Sequence, residues 1–247
     1  MQNIIHPLLS LSGIKAFYTT RGIDYATPYS GFNVCHYTGD TPGHYSKCRK
    51  ELAAELGVEE DAIVMPRQTH SSRVATITEK DTLLDDGIDA LVTTSRRIII
   101  GVNTADCVPV VMADPVAGVI GVAHAGWRGA LSGIVANTFD AMVGAGASHC
   151  DIQVAFGPSI CSECFEVGEE VASLFPQEDV VRRCGFQRPH IDLQRFLARQ
   201  LAEYGIASSA ITPFDRRLCT RCHPTHFFSA RALGIRSGRV FTFAYLE

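Results

Sequence analysis

The chain has 247 residues, 46% of them hydrophobic and 19% charged, with a formal net charge of −4. This is the balance of an ordinary soluble globular protein, long enough to bury a sizeable core without staples. The mildly acidic total and the lack of Lys/Arg runs argue against nucleic acid or an anionic membrane as partner, and no apolar run approaches the ~20 residues of a membrane-spanning helix.

The first fourteen residues are mildly apolar but lack a basic start, and Pro7 interrupts them, so they do not read as a signal peptide. Nine cysteines without an export signal then predict a cytoplasmic protein, in which cysteines are thiols, metal ligands or nucleophiles. A short strand is expected at Lys15–Thr20, followed by a Gly/Pro/Thr/Tyr-rich loop over Tyr25–Asp40. Thr41-Pro42 opens a helix running to about Leu56, with Gly57 placed to cap it. Strands follow at Ala62–Met65, Arg73–Thr78 and Asp89–Thr93, and the most apolar region supplies three more at Arg97–Val102, Val108–Ala113 and Gly118–Ala123. The remaining pattern predicts helices over Gly129–Val143, Val167–Phe175 and Leu193–Tyr204, with strands at Asp151–Phe156 and Arg239–Leu246. Hairpins mix with helices without regular βαβ alternation, which favours an α+β fold. No linker, repeat or low-complexity tract divides the chain.

The densest chemistry lies around the second apolar hairpin. A four-residue turn at Asp114–Ala117 would set Ala113 opposite Gly118 and therefore Cys107 opposite His124. Opposed residues in an antiparallel pair place their Cβ atoms about 4.5–5.5 Å apart on one face, a spacing that suits two ligands of one metal ion. Pro109, which cannot donate to the ladder, is the feature least at ease with this hairpin. His70 ends another strand and is the candidate third ligand. Two imidazoles and one thiolate form a catalytic zinc set that leaves a fourth position for water or substrate; on their own, a buried Cys or His is more often a core residue.

Arg128 lies between Gly126 and Gly129 where a helix begins, a placement that suits phosphate. Cys219-Thr-Arg-Cys222, with His223 and His226 nearby, has the look of half a metal knuckle. Cys161-Ser-Glu-Cys164 is the other possible half, but it is far from it in the chain, unlike a compact zinc ribbon. Cys35, Cys48, Cys150 and Cys184 show no partner pattern. No P-loop, nucleophile elbow or H-E-x-x-H motif is present.

Asn33 with Gly39-Asp40, Gln68-Thr69-His70, Ala105-Asp106-Cys107-Val108-Pro109, His124-Ala-Gly-Trp-Arg-Gly129, Gly157-Pro158-Ser159-Ile160, Cys219-Thr220 and Phe227-Phe228-Ser229 together resemble the polyphenol oxidoreductase laccase family, also called the purine nucleoside phosphorylase or peptidoglycan editing factor family. The resemblance runs from about Thr19 to the C-terminus. It implies one domain spanning 1–247, built as an αββα sandwich with mixed, largely antiparallel sheets, and zinc held by His70, Cys107 and His124. The implied activities are phosphorolysis of adenosine, inosine and methylthioadenosine, and deamination of adenosine. Family members carry consecutive arginines after Phe-Phe-Ser; here the run is Ser229-Ala230-Arg231-Ala232, which leaves Arg231 as the candidate substrate contact.

On this reading the partners are a purine nucleoside and phosphate, and the chain acts as a monomer or homodimer. Arg128 and Arg49 are candidates for holding phosphate, Asp106 for orienting a ligand or moving a proton, and Asn33 and Gln68 for contacting nucleoside. Three other functions compete. Cys107 could be the nucleophile of a Cys-His hydrolase acting on a cell-wall precursor, with His124 as base. A copper phenol oxidase fits poorly, because the chain has nine histidines in all and no His-x-His pair, although such ligands bind copper adventitiously. The third is a non-enzymatic metal or nucleotide sensor.

Overall fold

The structure, a computed structural model, describes residues 4–80 and 84–247. The chain opens with a hairpin of β1 (Ile5–Leu11) and β2 (Ile14–Thr19), and after a long loop forms helix α1 (Pro42–Leu56). Strands β3 (Ile63–Val64), β4 (Arg73–Ile77) and β5 (Ile88–Thr93) precede three central strands, β6 (Ile99–Thr104), β7 (Val108–Asp114) and β8 (Val119–Ala125). Helices α2 (Trp127–Leu131) and α3 (Ile134–Gly144) lead to β9 (Gln153–Phe156) and the one-turn helix α4 (Glu169–Ala172). The short pair β10 (Val180–Val181) and β11 (His190–Ile191), then α5 (Leu193–Glu203), α6 (Ala230–Leu233) and β12 (Val240–Leu246), complete the chain.

Two five-stranded sheets form, in the orders β1-β2-β12-β6-β3 and β4-β5-β8-β7-β9. The pairs β3–β6 and β4–β5 are parallel and the other pairs in these sheets antiparallel. Side-chain alternation explains the layering. On one face of the second sheet, Val111, Ala113, Ile120 and Val122 meet Ile14, Ala16, Ile100, Val102 and Ala244 of the first sheet. On its other face, Val110, Met112 and Ala123 pack against Ile134, Phe139 and Met142 of α3 and Leu197 and Leu201 of α5. The first sheet turns Ile63, Ile99, Phe241 and Phe243 outward onto Leu52 and Ala53 of α1. The result is helix, sheet, sheet, helix. Every residue of β5, β6, β7 and β8 is buried, which is why these strands read as unbroken apolar runs instead of alternating ones.

The αββα expectation holds, and α1 ends at the expected Gly57, which takes the left-handed conformation with φ 66°. Four local expectations change. The hairpin turn lies one residue later: Asp114 pairs with Val119, so His124 faces Pro109 and not Cys107. The cause is Asp114, whose Oδ1 accepts the N–H groups of Val116 (2.8 Å) and Ala117 (2.9 Å) and so draws the turn beyond itself. The helix expected over Gly129–Val143 is two helices, broken at Gly133 with φ 81°. The helix expected over Val167–Phe175 shrinks to α4. Strand β1 was not anticipated because Pro7 lies within it; β1 is an edge strand whose register shifts between Pro7 and Leu9, and a proline fits there. Pro109 is accommodated near the start of β7, where its carbonyl still accepts the Gly157 N–H at 2.9 Å.

Candidate metal centre

The shifted register keeps the two hairpin residues on one face. Cys107, one residue before β7, shares the face of Pro109, Val111 and Ala113, while His124 shares that of Ile120 and Val122; both faces look into the seam between the sheets. The two are diagonal neighbours instead of a direct pair, still within side-chain reach. His70, from the loop before β4, closes the group. Its Nε2 lies 3.7 Å from the Cys107 sulfur, its ring centroid lies 4.8 Å from that of His124, and one ligand atom from each of the three residues falls within 4.8 Å of the others.

Asp89 organises this meeting. It is fully buried in β5, and its carboxylate accepts the backbone N–H groups of Thr69, His70 and Ser71 at 3.1, 2.9 and 2.8 Å. Those bonds hold His70 in a left-handed conformation, φ 65°, that a non-glycine residue adopts only when its surroundings demand it. The same carboxylate is 2.7 Å from His124 Nδ1. A carboxylate only accepts, so Nδ1 donates to Asp89 and Nε2 is the ring nitrogen left to face Cys107. Sequence reasoning missed Asp89, although a lone acid inside the apolar run Ile88–Thr93 is the kind of signal that points to such a partner.

The charges are mutually dependent. Burial opposes ionisation of Asp89, but the hydrogen bond and charge of His124 and the hydrogen bonding of Ser71 outweigh it and hold the carboxyl well below its usual range. Burial likewise raises the Cys107 thiol, yet His124 and His70 bring it down to about 6. Burial would lower His124, but the Cys107 sulfur and Asp89 raise it to about 9. Protein groups alone thus favour a thiolate beside a histidine, and a thiolate is the ligand form of cysteine.

The surroundings fit a metal ion. Gly126 passes so close that a Cβ there would lie 2.6 Å from His70 Cδ2 and 3.0 Å from the Cys107 sulfur. His124 is buried, Cys107 half-buried and His70 exposed, so the cluster opens to solvent on the His70 side. One soft sulfur and two imidazoles match zinc or copper better than magnesium or calcium.

Asp106 stands beside Cys107 with φ 88°. Its two carboxylate oxygens accept from Thr220 Oγ1 and the Arg231 N–H, each at 2.7 Å, and its carbonyl accepts the Ile160 N–H at 2.9 Å. It thereby ties three distant loops to the Cys107 turn. Arg128 begins α2, exposed, with its guanidinium 4.1 Å from the Trp127 ring centroid. Arg231 is exposed and lies over Phe165. Three expected nucleoside or phosphate contacts are engaged elsewhere. Asn33 is fully buried, donating to Asp40 (2.7 Å) and accepting from the N–H of Arg239 (3.0 Å). The Gln68 amide bonds both backbone groups of Asn103 and the Tyr37 hydroxyl. Arg49 donates to the carbonyls of Glu60 and Ile63. Cys161, Cys164, Cys219 and Cys222 form a second cluster to which His223 and His226 do not belong.

Fold and cluster together define an αββα protein with a Cys-His-His cluster, open on the His70 side, in its intersheet seam. The chain belongs to the multi-copper polyphenol oxidoreductase laccase family, whose family model matches residues 15–247. It is 46% identical to adenosine deaminase RL5 from an unknown prokaryotic organism, over 96% of this chain and 95% of that one. It is 34% identical to a purine nucleoside phosphorylase of Bacteroides thetaiotaomicron, over 94% and 92% of the two chains. Among solved structures it resembles the hypothetical protein YfiH of Bacillus licheniformis, with TM-score 0.86 and 28% identity, covering 95% of this chain and 93% of that one. The fold also matches Neisseria meningitidis NMB0706, with TM-score 0.82 at 24% identity, over 99% and 100% of the two chains.

Proposed function

We propose that this chain, one domain over residues 1–247, is a cytoplasmic zinc-dependent purine nucleoside enzyme. It would cleave adenosine, inosine and methylthioadenosine with phosphate and deaminate adenosine. The names of its relatives support the substrate class. The observation that carries the metal part is the Asp89 carboxylate, which fixes both His70 and His124 toward the Cys107 sulfur.

His70, Cys107 and His124 would hold the zinc, which when bound lowers the pKa of water to about 7 and so supplies a hydroxide nucleophile at neutral pH. The protein's own groups do the rest. Asp89 keeps the Nδ1 proton of His124 in place. Asp106, with both oxygens engaged, orients the Cys107 turn. Arg128, exposed near the cluster at the start of α2, is the group suited to phosphate, with Arg231 as second candidate. In phosphorolysis phosphate displaces the purine from ribose C1′; in deamination water displaces ammonia from purine C6. The test is product analysis of adenosine and inosine incubated with zinc-loaded protein, with and without phosphate. Free base and ribose 1-phosphate appearing only with phosphate, and inosine formed from adenosine without it, support the reading. Absence of turnover with every purine nucleoside would sink it.

A second reading has its own observation. Asp89, His124 and Cys107 stand in the order orienting acid, base and nucleophile, with the thiol lowered to about 6. That arrangement suits a Cys-His hydrolase of cell-wall precursors. Stoichiometric metal that shields Cys107 from alkylation argues for the zinc enzyme; metal-free protein with a rapidly alkylated Cys107 argues for the hydrolase.

A further inference from the structure

Of the eight cysteines that take no part in the centre above, four meet at one point. The sulfurs of Cys161, Cys164, Cys219 and Cys222 all lie within 4.8 Å of one another, with Cys164 and Cys222 at 3.4 Å. They come from two C-x-x-C turns separated by most of the C-terminal third of the chain. Long-range backbone bonds bring the turns side by side: Ser159 N–H donates to Leu218 and Thr220 N–H donates to Ser159, each at 3.1 Å. The Cys219 sulfur accepts the N–H groups of Cys161 (3.3 Å) and Cys222 (3.4 Å), and such bonds favour the thiolate. All four cysteines are free.

Simple packing of small apolar residues accounts poorly for this group, because Cys222 is exposed and Cys164 half-buried. Disulfides, one or two, would bring sulfurs to about 2.05 Å, whereas all four cysteines are free and Cys164 and Cys222 stand 3.4 Å apart. A tetrahedral zinc with bonds of about 2.3 Å sets four sulfurs roughly 3.8 Å apart, between the 3.4 Å of the Cys164–Cys222 pair and the 4.8 Å within which all four lie.

We propose that Cys161, Cys164, Cys219 and Cys222 form a closed four-thiolate site for a structural zinc ion, separate from the His70, Cys107 and His124 centre. The site staples the two turns that grip Asp106. Ile160, next to Cys161, donates its N–H to the Asp106 carbonyl, and Thr220, next to Cys219, donates its hydroxyl to the Asp106 carboxylate. The staple therefore secures the turn that presents Cys107. With all four positions filled by protein, it offers no place for substrate.

The experiment uses the full chain carrying His70→Ala and His124→Ala, produced with zinc and freed of loosely held metal. Bound zinc is counted by mass spectrometry and its neighbours are read by X-ray absorption at the zinc edge. The expected result is one zinc per chain with four sulfur neighbours at about 2.3 Å. A metal-free chain, nitrogen or oxygen neighbours, or a disulfide linking any two of the four cysteines would overturn the proposal. If that variant does not fold, Cys164→Ser with Cys222→Ser in the otherwise native chain gives the decision: loss of one zinc equivalent relative to the native protein supports the site, and an unchanged zinc content refutes it. Neither readout depends on nucleoside turnover, so this result and the enzymatic one can fail independently.

Discussion

Replacing Gly126 by alanine tests the metal centre through geometry alone. The backbone at Gly126, φ −74° and ψ 165°, is open to any residue, so the substitution carries no conformational strain. Its Cβ, however, would lie 2.6 Å from His70 Cδ2 and 3.0 Å from the Cys107 sulfur, where carbon contacts ordinarily lie at about 3.5–4.0 Å. The His70 ring must therefore give way by about 1 Å, and zinc–ligand distances tolerate only about 0.2 Å. Nor can the His70 backbone follow, because Asp89 holds its N–H at 2.9 Å. The expected outcome of Gly126→Ala is a fall in zinc affinity of at least the ~10–100-fold typical of a lost supporting residue. Overpacking should cost the fold about 1–3 kcal/mol. Competition with a chromophoric chelator measures the first and denaturant unfolding the second. Gly144→Ala is the control, since nothing lies within 4 Å of a Cβ there. Zinc affinity in Gly126→Ala within twofold of the native value would refute the reasoning.

Four further outcomes are expected. Asp89→Asn removes the negative charge and turns one of the two oxygens that accept from three N–H groups and His124 into a donor; zinc affinity should fall ~10–100-fold, read by the same competition, and unaltered affinity would count against Asp89 as the organiser. Arg128→Ala should raise the KM for phosphate roughly 10–100-fold, the equivalent of about 1.5–3 kcal/mol for a hydrogen bond to a charged group, while adenosine deamination and zinc content stay as they were; equal loss of both activities would place Arg128 elsewhere in the mechanism. Chelation should abolish both activities and zinc should restore both, as steady-state assays before and after reconstitution will report; activity surviving complete metal removal would favour the Cys-His hydrolase. Gly133→Ala forces a side chain into the left-handed conformation, φ 81°, at a cost of roughly 1–2 kcal/mol in urea unfolding with zinc affinity unchanged; no loss of stability would show that the α2–α3 break relaxes.

The meeting of Cys107 and His124 was legible because side-chain alternation survives small errors of register. Moving the hairpin turn by one residue on each strand changed every pair, yet left Cys107 and His124 on the same face. The error itself arose from the Asp114 carboxylate, whose capture of two turn N–H groups is a local choice that hydrophobic pattern does not encode. Asp89 escaped notice because strand β5 is buried on both faces, so neither alternation nor hydropathy marks which residue turns toward the loop of His70. The layering into helix, sheet, sheet and helix came from motif resemblance; the chain order alone gave only a mixed α+β class. The α2–α3 break was foreshadowed by Ser132-Gly133, but the apolar pattern runs through it. The two C-x-x-C turns could be seen individually. Their meeting depends on the long-range pairing of Ser159 with Cys219, and no local signal announces such a contact. Asn33, Gln68 and Arg49 show the opposite situation: residue types suited to binding a ligand are engaged with backbone groups once the chain is folded.

Anomalous X-ray diffraction at the zinc edge from crystals of the zinc-loaded full chain bears most directly on the central claim. The account predicts an anomalous peak about 2.3 Å from the Cys107 sulfur and about 2.0–2.1 Å from one ring nitrogen each of His70 and His124. Zinc-loaded crystals with no peak among those three side chains would contradict it.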